Sequence, residues 1–145
     1  MFGQIALGSL LLLVTTLVHG ACTVGVLRVL HGARVERWRL DTLWGQGAAV
    51  AALALLLFYV SLAEASLWAI AYVGVGALDS WEAALYFSIV TYTTLGYGDV
   101  TLDDQWRLLA SFQAANGTLM FGWSTALIVS FVQRVRDAFK HQDGA

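Results

Sequence analysis

The sequence predicts an all-α membrane protein with three transmembrane helices and one short re-entrant segment. Three observations carry this. The chain of 145 residues is 59% hydrophobic and 12% charged and has no proline, whereas soluble domains are about half apolar and about a quarter charged. Phe2 to Leu27, Gly45 to Leu78 and Leu108 to Gln133 together hold one Asp, Glu, Lys or Arg, which is Glu64. Each stretch exceeds the roughly 20 residues an α-helix needs to cross the hydrocarbon. Basic residues also gather after the first and third stretches, and acidic residues between the second and third.

The first stretch is read as a retained transmembrane helix over 1–30. A cleaved secretory signal needs a basic start, and Met1-Phe2-Gly3-Gln4 has none. A loop over 31–44 follows. The second stretch predicts a helix over 45–78, and the third a helix over 104–136 ahead of a short tail, 137–145. Arg28, Arg34, Arg37 and Arg39 follow the first span, and Arg134, Arg136 and Lys140 follow the third. Asp79, Glu82, Asp99, Asp103 and Asp104 stand against one Arg107 between the second and third. Positive residues stay cytoplasmic, which puts the N-terminus and the 79–107 segment outside and the loop and tail inside. Trp38 and Trp44 flank the inner end of the second span, and Trp81 and Trp106 flank the outer segment. These are interfacial positions for tryptophan.

Between the second and third spans, Ala83 to Thr93 is too short to span and too apolar for an exposed loop. Asp79 or Ser80 is placed to cap a short helix over 80–93, with Glu82 in its first turn. Gly96-Tyr97-Gly98 follows, a run that leaves the helical pattern at membrane depth. Such backbone is tolerated there only where protein buries it or it lines a watery path. Cys22, the single cysteine, reads as a small buried side chain. No metal-ligand spacing, catalytic triad, phosphate loop or carboxylate cluster is present, so an enzyme is not expected.

Thr93-Thr94-Leu95-Gly96-Tyr97-Gly98-Asp99 resembles the potassium-channel signature, Thr-Val-Gly-Tyr-Gly-Asp in its common form. The resemblance covers roughly Gly45 to Gln133 and is to bacterial two-helix potassium channels. Ala84-Leu85, Ser88 and Thr91 before the signature fit it, as do Gly117, Phe121, Gly122, Thr125 and Ala126 after it. It implies a pore domain over 45–136: an outer helix 45–78, a pore helix 80–93, a selectivity filter 94–99 and an inner helix 104–136. It implies a homotetramer, since one loop supplies one wall of a ring. The carbonyls of Thr94, Leu95, Gly96 and Tyr97, with Gly98 and the Thr94 hydroxyl, would replace the water around K+. Thr91, Val90, Thr93 and Asp99 would support them. Leu95 stands where valine or isoleucine is usual. Val90 stands where some members carry a glutamate that couples to the filter aspartate, so that partner is missing for Asp99.

On the inner helix the resemblance implies either a hinge or a close helix contact at Gly117, with Gly122 as a second hinge candidate. Thr118, Phe121, Thr125 and Val129 share one helical face by spacing and would line a cavity. Glu64 is the one acid inside a span, where charge is costly; a structural role is favoured, with His19, at similar depth, as the candidate partner. Thr15, His19, Cys22 and Thr23 form a polar stripe on the first helix, which is expected to pack on the outer helix and face lipid.

The expected function is passive K+ conduction across a membrane, with K+ as the permeant ligand, lipid as the surrounding partner, and neither an organic cofactor nor nucleic acid. The rival readings are a weakly selective cation channel of the same fold and a non-conducting membrane assembly subunit. A prokaryotic inner membrane is the expected location. No span carries the repeated arginines of a voltage sensor.

Overall fold

The computed structural model describes residues 2–31 and 42–142, so most of the 31–44 loop, with Arg34, Arg37, Trp38 and Arg39, lies outside the described residues. Four helices follow in order: α1 (Phe2–His31), α2 (Leu43–Gly74), α3 (Trp81–Tyr92) and α4 (Arg107–Gln142). Among the described residues there is no strand. α1, α2 and α4 are long and apolar enough to cross a membrane over Phe2–Arg28, Leu43–Gly74 and Arg107–Arg136. α3, at 12 residues, is not long enough.

The helix ends have local causes. Thr42 caps α2 by accepting the Gly45 amide at 3.1 Å, and Ser80 caps α3 by accepting the Ala83 amide at 3.1 Å. α2 stops at Gly74, four residues before the apolar pattern does. Gly76 takes a left-handed φ of +70°. The Gly76 and Ala77 amides bond back to the carbonyls of Val73 and Tyr72 at 3.0 and 2.8 Å. This is a Schellman stop, which satisfies the last carbonyls of the helix. Hydropathy continued through Leu78 because Ala77 and Leu78 pack on the core after the helix has ended. α4 begins at Arg107 rather than 104, since the Asp103 carbonyl accepts the Trp106 and Arg107 amides in a turn. It continues to Gln142, through much of the expected tail.

α1 differs most from expectation. It packs more extensively against α4 than against α2. Gly8 lies against the Phe112 ring, Gly20 against Trp123, and Thr15 accepts the Asn116 amide at 2.8 Å. Gly8, Thr15, His19 and Gly20 of α1 turn toward α4, while Leu10, Leu13, Leu17 and Val24 stay exposed. Gln4 donates to the Gln105 carbonyl, so the start of α1 lies on the same side as the 75–106 segment.

Two apolar cores result. One gathers Ala65, Trp68, Ala69, Tyr72, Ala84, Phe87, Tyr92, Leu109 and Met120. The other gathers Ala49, Leu53, Leu57, Leu127, Phe131 and Val135. Between them, at the level of residues 61–64 on α2 and 124 on α4, lies a layer of buried polar side chains: His19, Ser61, Glu64 and Ser124.

The short α3 is held end-on against α4. A Cβ at Gly117 would stand 1.9 Å from the Tyr92 carbonyl oxygen, so Gly117 makes a close backbone contact that no other residue permits. A Cβ at Gly122 meets nothing within 4 Å. Gly117→Ala is therefore expected to cost at least about 2–3 kcal/mol by forcing α3 and α4 apart. Gly122→Ala is expected to change stability by about 1 kcal/mol or less. Thermal denaturation in detergent compares the two, and equal midpoints would remove the contact as a constraint.

Candidate functional site

α3 ends in a backbone that is tied back onto it. The Thr93 amide and hydroxyl both donate to the Ile89 carbonyl, at 3.0 and 2.8 Å. The Thr94 amide donates to Thr91 at 3.0 Å, and the Leu95 and Gly96 amides both donate to Val90, at 2.9 and 3.2 Å. The chain then takes positive φ at every second residue: Thr94 at +60°, Gly96 at +57° and Gly98 at +80°. Glycine adopts this region without cost. Thr94 is the single non-glycine among the described residues to do so, and such positions mark functional strain. Side chains from Thr93 to Asp99 are exposed on the protomer, Leu95 at 55% and Tyr97 at 66%.

The far end of this run is anchored too. Asp99 accepts the Tyr86 hydroxyl at 2.7 Å and the Val100 amide at 3.1 Å. Val90 is buried and carries no such bond, so the partner of Asp99 comes from one turn earlier on α3. The Tyr86 hydroxyl holds the Asp99 carboxyl below its ordinary value.

On α4, Thr118, Gly122, Thr125 and Val129 form one exposed face, while Gly117 is buried. The hydroxyls of Thr118 and Thr125 are occupied by the carbonyls of Ala114 and Phe121, at 3.0 and 2.8 Å. Phe121 is partly turned inward, and its ring meets Tyr92 edge-on at 5.7 Å.

Two buried hydrogen-bonded layers stand behind these surfaces. In the first, Tyr72 donates to Gln113 Oε1 at 2.7 Å, and Gln113 Nε2 donates to the Ser88 carbonyl at 3.1 Å and to its hydroxyl. Ser88 donates to the Ala65 carbonyl. In the second, Glu64 Oε1 stands 3.1 Å from His19 Nδ1, and Glu64 Oε2 accepts the Tyr92 hydroxyl. His19 Nε2 stands 3.3 Å from Ser124 Oγ, and its ring lies 5.3 Å from that of Trp123. With Nδ1 donating to the carboxylate, Nε2 is free to accept from Ser124. His19 and Glu64 have no exposed surface.

The structure thus brings His19 and Glu64 together and adds Tyr92 and Ser124, which sequence reasoning did not single out. It adds Tyr86 to Asp99 as well. A signal for Tyr92 was present: Ser88 and Tyr92 are one helical turn apart on the same face of α3. Among the described residues no group of three His, Cys, Asp or Glu side chains could hold a metal ion. The oxygens of the 93–99 run are its backbone carbonyls, the Thr93 and Thr94 hydroxyls, the Tyr97 hydroxyl and the Asp99 carboxylate.

Two outcomes follow. The Tyr86–Asp99 bond is at full strength above the ordinary carboxylate range and is lost as pH falls through the depressed native value. Tyr86→Phe is expected to move the Asp99 midpoint upward in an NMR titration of its carboxyl carbon; an unmoved midpoint would deny the hydroxyl its effect. Removing Glu64 leaves the Tyr92 hydroxyl and His19 Nδ1 as buried donors without an acceptor, at about 1–3 kcal/mol each, so Glu64→Ala is expected to lower the denaturation midpoint clearly. Glu64→Gln, which keeps one accepting oxygen, lowers it less. A wild-type midpoint for Glu64→Ala would show that the layer carries no stability.

Residues 49–134, more than half of the chain, match the protein-family model described as Ion channel. No curated protein and no solved structure matches the chain. The match runs from α2 through α3 and the 93–99 segment into α4, with α1 standing before it, and the chain therefore belongs to this ion-channel family.

Proposed function

We propose that four copies of the chain form a potassium-selective channel, with Thr94, Leu95, Gly96, Tyr97 and Gly98 as the filter. The observation that carries this reading is the alternation of φ sign at Thr94, Gly96 and Gly98. In a strand, successive carbonyls point to opposite sides. When left- and right-handed residues alternate, successive carbonyls turn to the same side, which suits a column of oxygens around a bare cation. The amides of Thr94, Leu95 and Gly96 are engaged by α3, which leaves their carbonyls as the groups on offer.

One protomer exposes this run completely, as a wall of a shared pore must be before assembly. The exposed face of Thr118, Gly122, Thr125 and Val129 would line the cavity beneath it. Gly117, packed on Tyr92, would act as a contact rather than as the bend, leaving Gly122 as the hinge candidate. The N-terminus and the 75–106 segment share one side, and the charge pattern makes that side the outside, with the C-terminal tail in the cytoplasm and a prokaryotic inner membrane as the location. Lipid would cover the exposed leucines of α1.

The weaker-selectivity reading rests on Leu95, whose larger side chain must pack behind the filter. Reversal potentials of the purified protein in liposomes with opposed K+ and Na+ gradients decide between them. The expected result is a potential that follows the K+ gradient. Gly96→Ala, which puts a Cβ on a φ of +57°, is expected to abolish that selectivity while Gly47→Ala on exposed α2 leaves it intact. A wild-type potential that ignores the K+ gradient would sink the proposal.

A further inference from the structure

We infer that α1 is a working part of the ion pathway: through His19 it braces Glu64, Glu64 holds the Tyr92 hydroxyl, and this line sets where α3 ends and where Thr94 stands. The inference rests on the filter assignment above and gives α1, which lies before the matched region 49–134, a role in it.

Tyr92 is the last residue of α3 and is fixed from three directions. Its hydroxyl donates to Glu64 Oε2. Its carbonyl lies where Gly117 has no side chain. Its ring meets Phe121 edge-on. One residue separates it from Thr94, and that residue, Thr93, is bonded to Ile89 through both amide and hydroxyl. The connection has no slack, so a shift in the last turn of α3 reaches the inner end of the filter.

Glu64 cannot hold Tyr92 alone. A carboxylate has two oxygens, and where no water reaches, each needs a donor from the protein. Tyr92 serves one. The other donor is His19, which only α1 provides. His19 is itself held at its far nitrogen by Ser124, and its ring lies against that of Trp123, both from α4. All four helices thus contribute to the orientation of one hydroxyl. Supporting bonds of this kind lock the rotamers of the groups they serve. A helix that merely anchored the chain in lipid would need no buried imidazole at the level where α3 ends. His19 and Glu64 are in this sense positioning residues acting through Tyr92.

The test uses the full chain in liposomes, with reversal potentials under opposed K+ and Na+ gradients for wild type, Tyr92→Phe, His19→Ala and the double variant. Tyr92→Phe keeps the ring and its packing while losing one oxygen. Each single variant is expected to lower the K+ over Na+ permeability ratio about tenfold, the scale of one buried hydrogen bond. The double variant is expected to be no worse than the worse single, since both cut the same line. Leu17→Ala, on the lipid-exposed face of α1, is expected to leave the ratio unchanged. Ratios within roughly twofold of wild type for Tyr92→Phe and His19→Ala, or additive losses in the double variant, would overturn the brace. If His19→Ala does not assemble, the ratio of Tyr92→Phe decides alone. A wild type that is not K+-selective overturns the filter reading and the brace with it, whereas a selective wild type with unmoved variants overturns the brace alone.

Discussion

A carboxylate inside the hydrocarbon must find its donors within the protein, because no water reaches it and leaving it bare costs several kcal/mol. Glu64 imposes that condition on this chain. It sits without exposed surface in the middle of α2, at the seam between the two apolar cores. Its two oxygens are met by α3 and α1, and the α1 donor is held by α4. One side chain therefore dictates the relative depth of four helices. The same condition explains the other polar layer, where Gln113 bridges Tyr72 and Ser88 and Ser88 donates to an α2 carbonyl. The two apolar cores lie on either side of the Glu64 layer.

The layers matter because of what stands in front of them. The 93–99 run leaves the helix, so its amides and carbonyls lose the helical ladder. Val90 and Thr91 take up the amides of Thr94, Leu95 and Gly96. Tyr86 anchors the other end through Asp99. A backbone held at both ends by α3 inherits the position of α3, and α3 is positioned by its two polar layers and by the Gly117 contact. The position of the exposed run is thus set from behind it, by buried bonds.

Depth along a membrane helix is readable from sequence, whereas azimuth is not. The three spans, the short re-entrant helix and the glycine run follow from hydropathy, charge placement and glycine spacing. His19 and Glu64 were found at like depth by counting from the ends of their spans. Which way α1 faces could not be counted. The polar stripe through Thr15 and His19 marks one face of α1, but that Gly8, Thr15, His19 and Gly20 meet α4 rather than α2 alone emerged from the packing. The early stop of α2 was hidden for a similar reason: Ala77 and Leu78 are apolar because they pack on the core. The Tyr92 role escaped because a tyrosine in an apolar helix reads as bulk, and its hydroxyl acquires a meaning only when Glu64 is known to lie opposite.

Why an ionisable pair sits there at all can be argued from what lipid does to helix packing. Lipid tails are as apolar as leucine, so apolar contact between helices gives little preference for one register over another. A slip of one turn, about 5.4 Å, would cost an all-leucine seam very little. Gly8 on Phe112, Thr15 on Asn116, Gly20 on Trp123 and His19 on Ser124 hold α1 and α4 at nearly one offset. A slip of one turn breaks all four at once and strands Glu64 as well. Well-packed apolar residues can match or exceed a buried pair in stability, but they do not specify register in this way. The buried polar layer is therefore better understood as fixing where the helices stand than as adding strength to their contact.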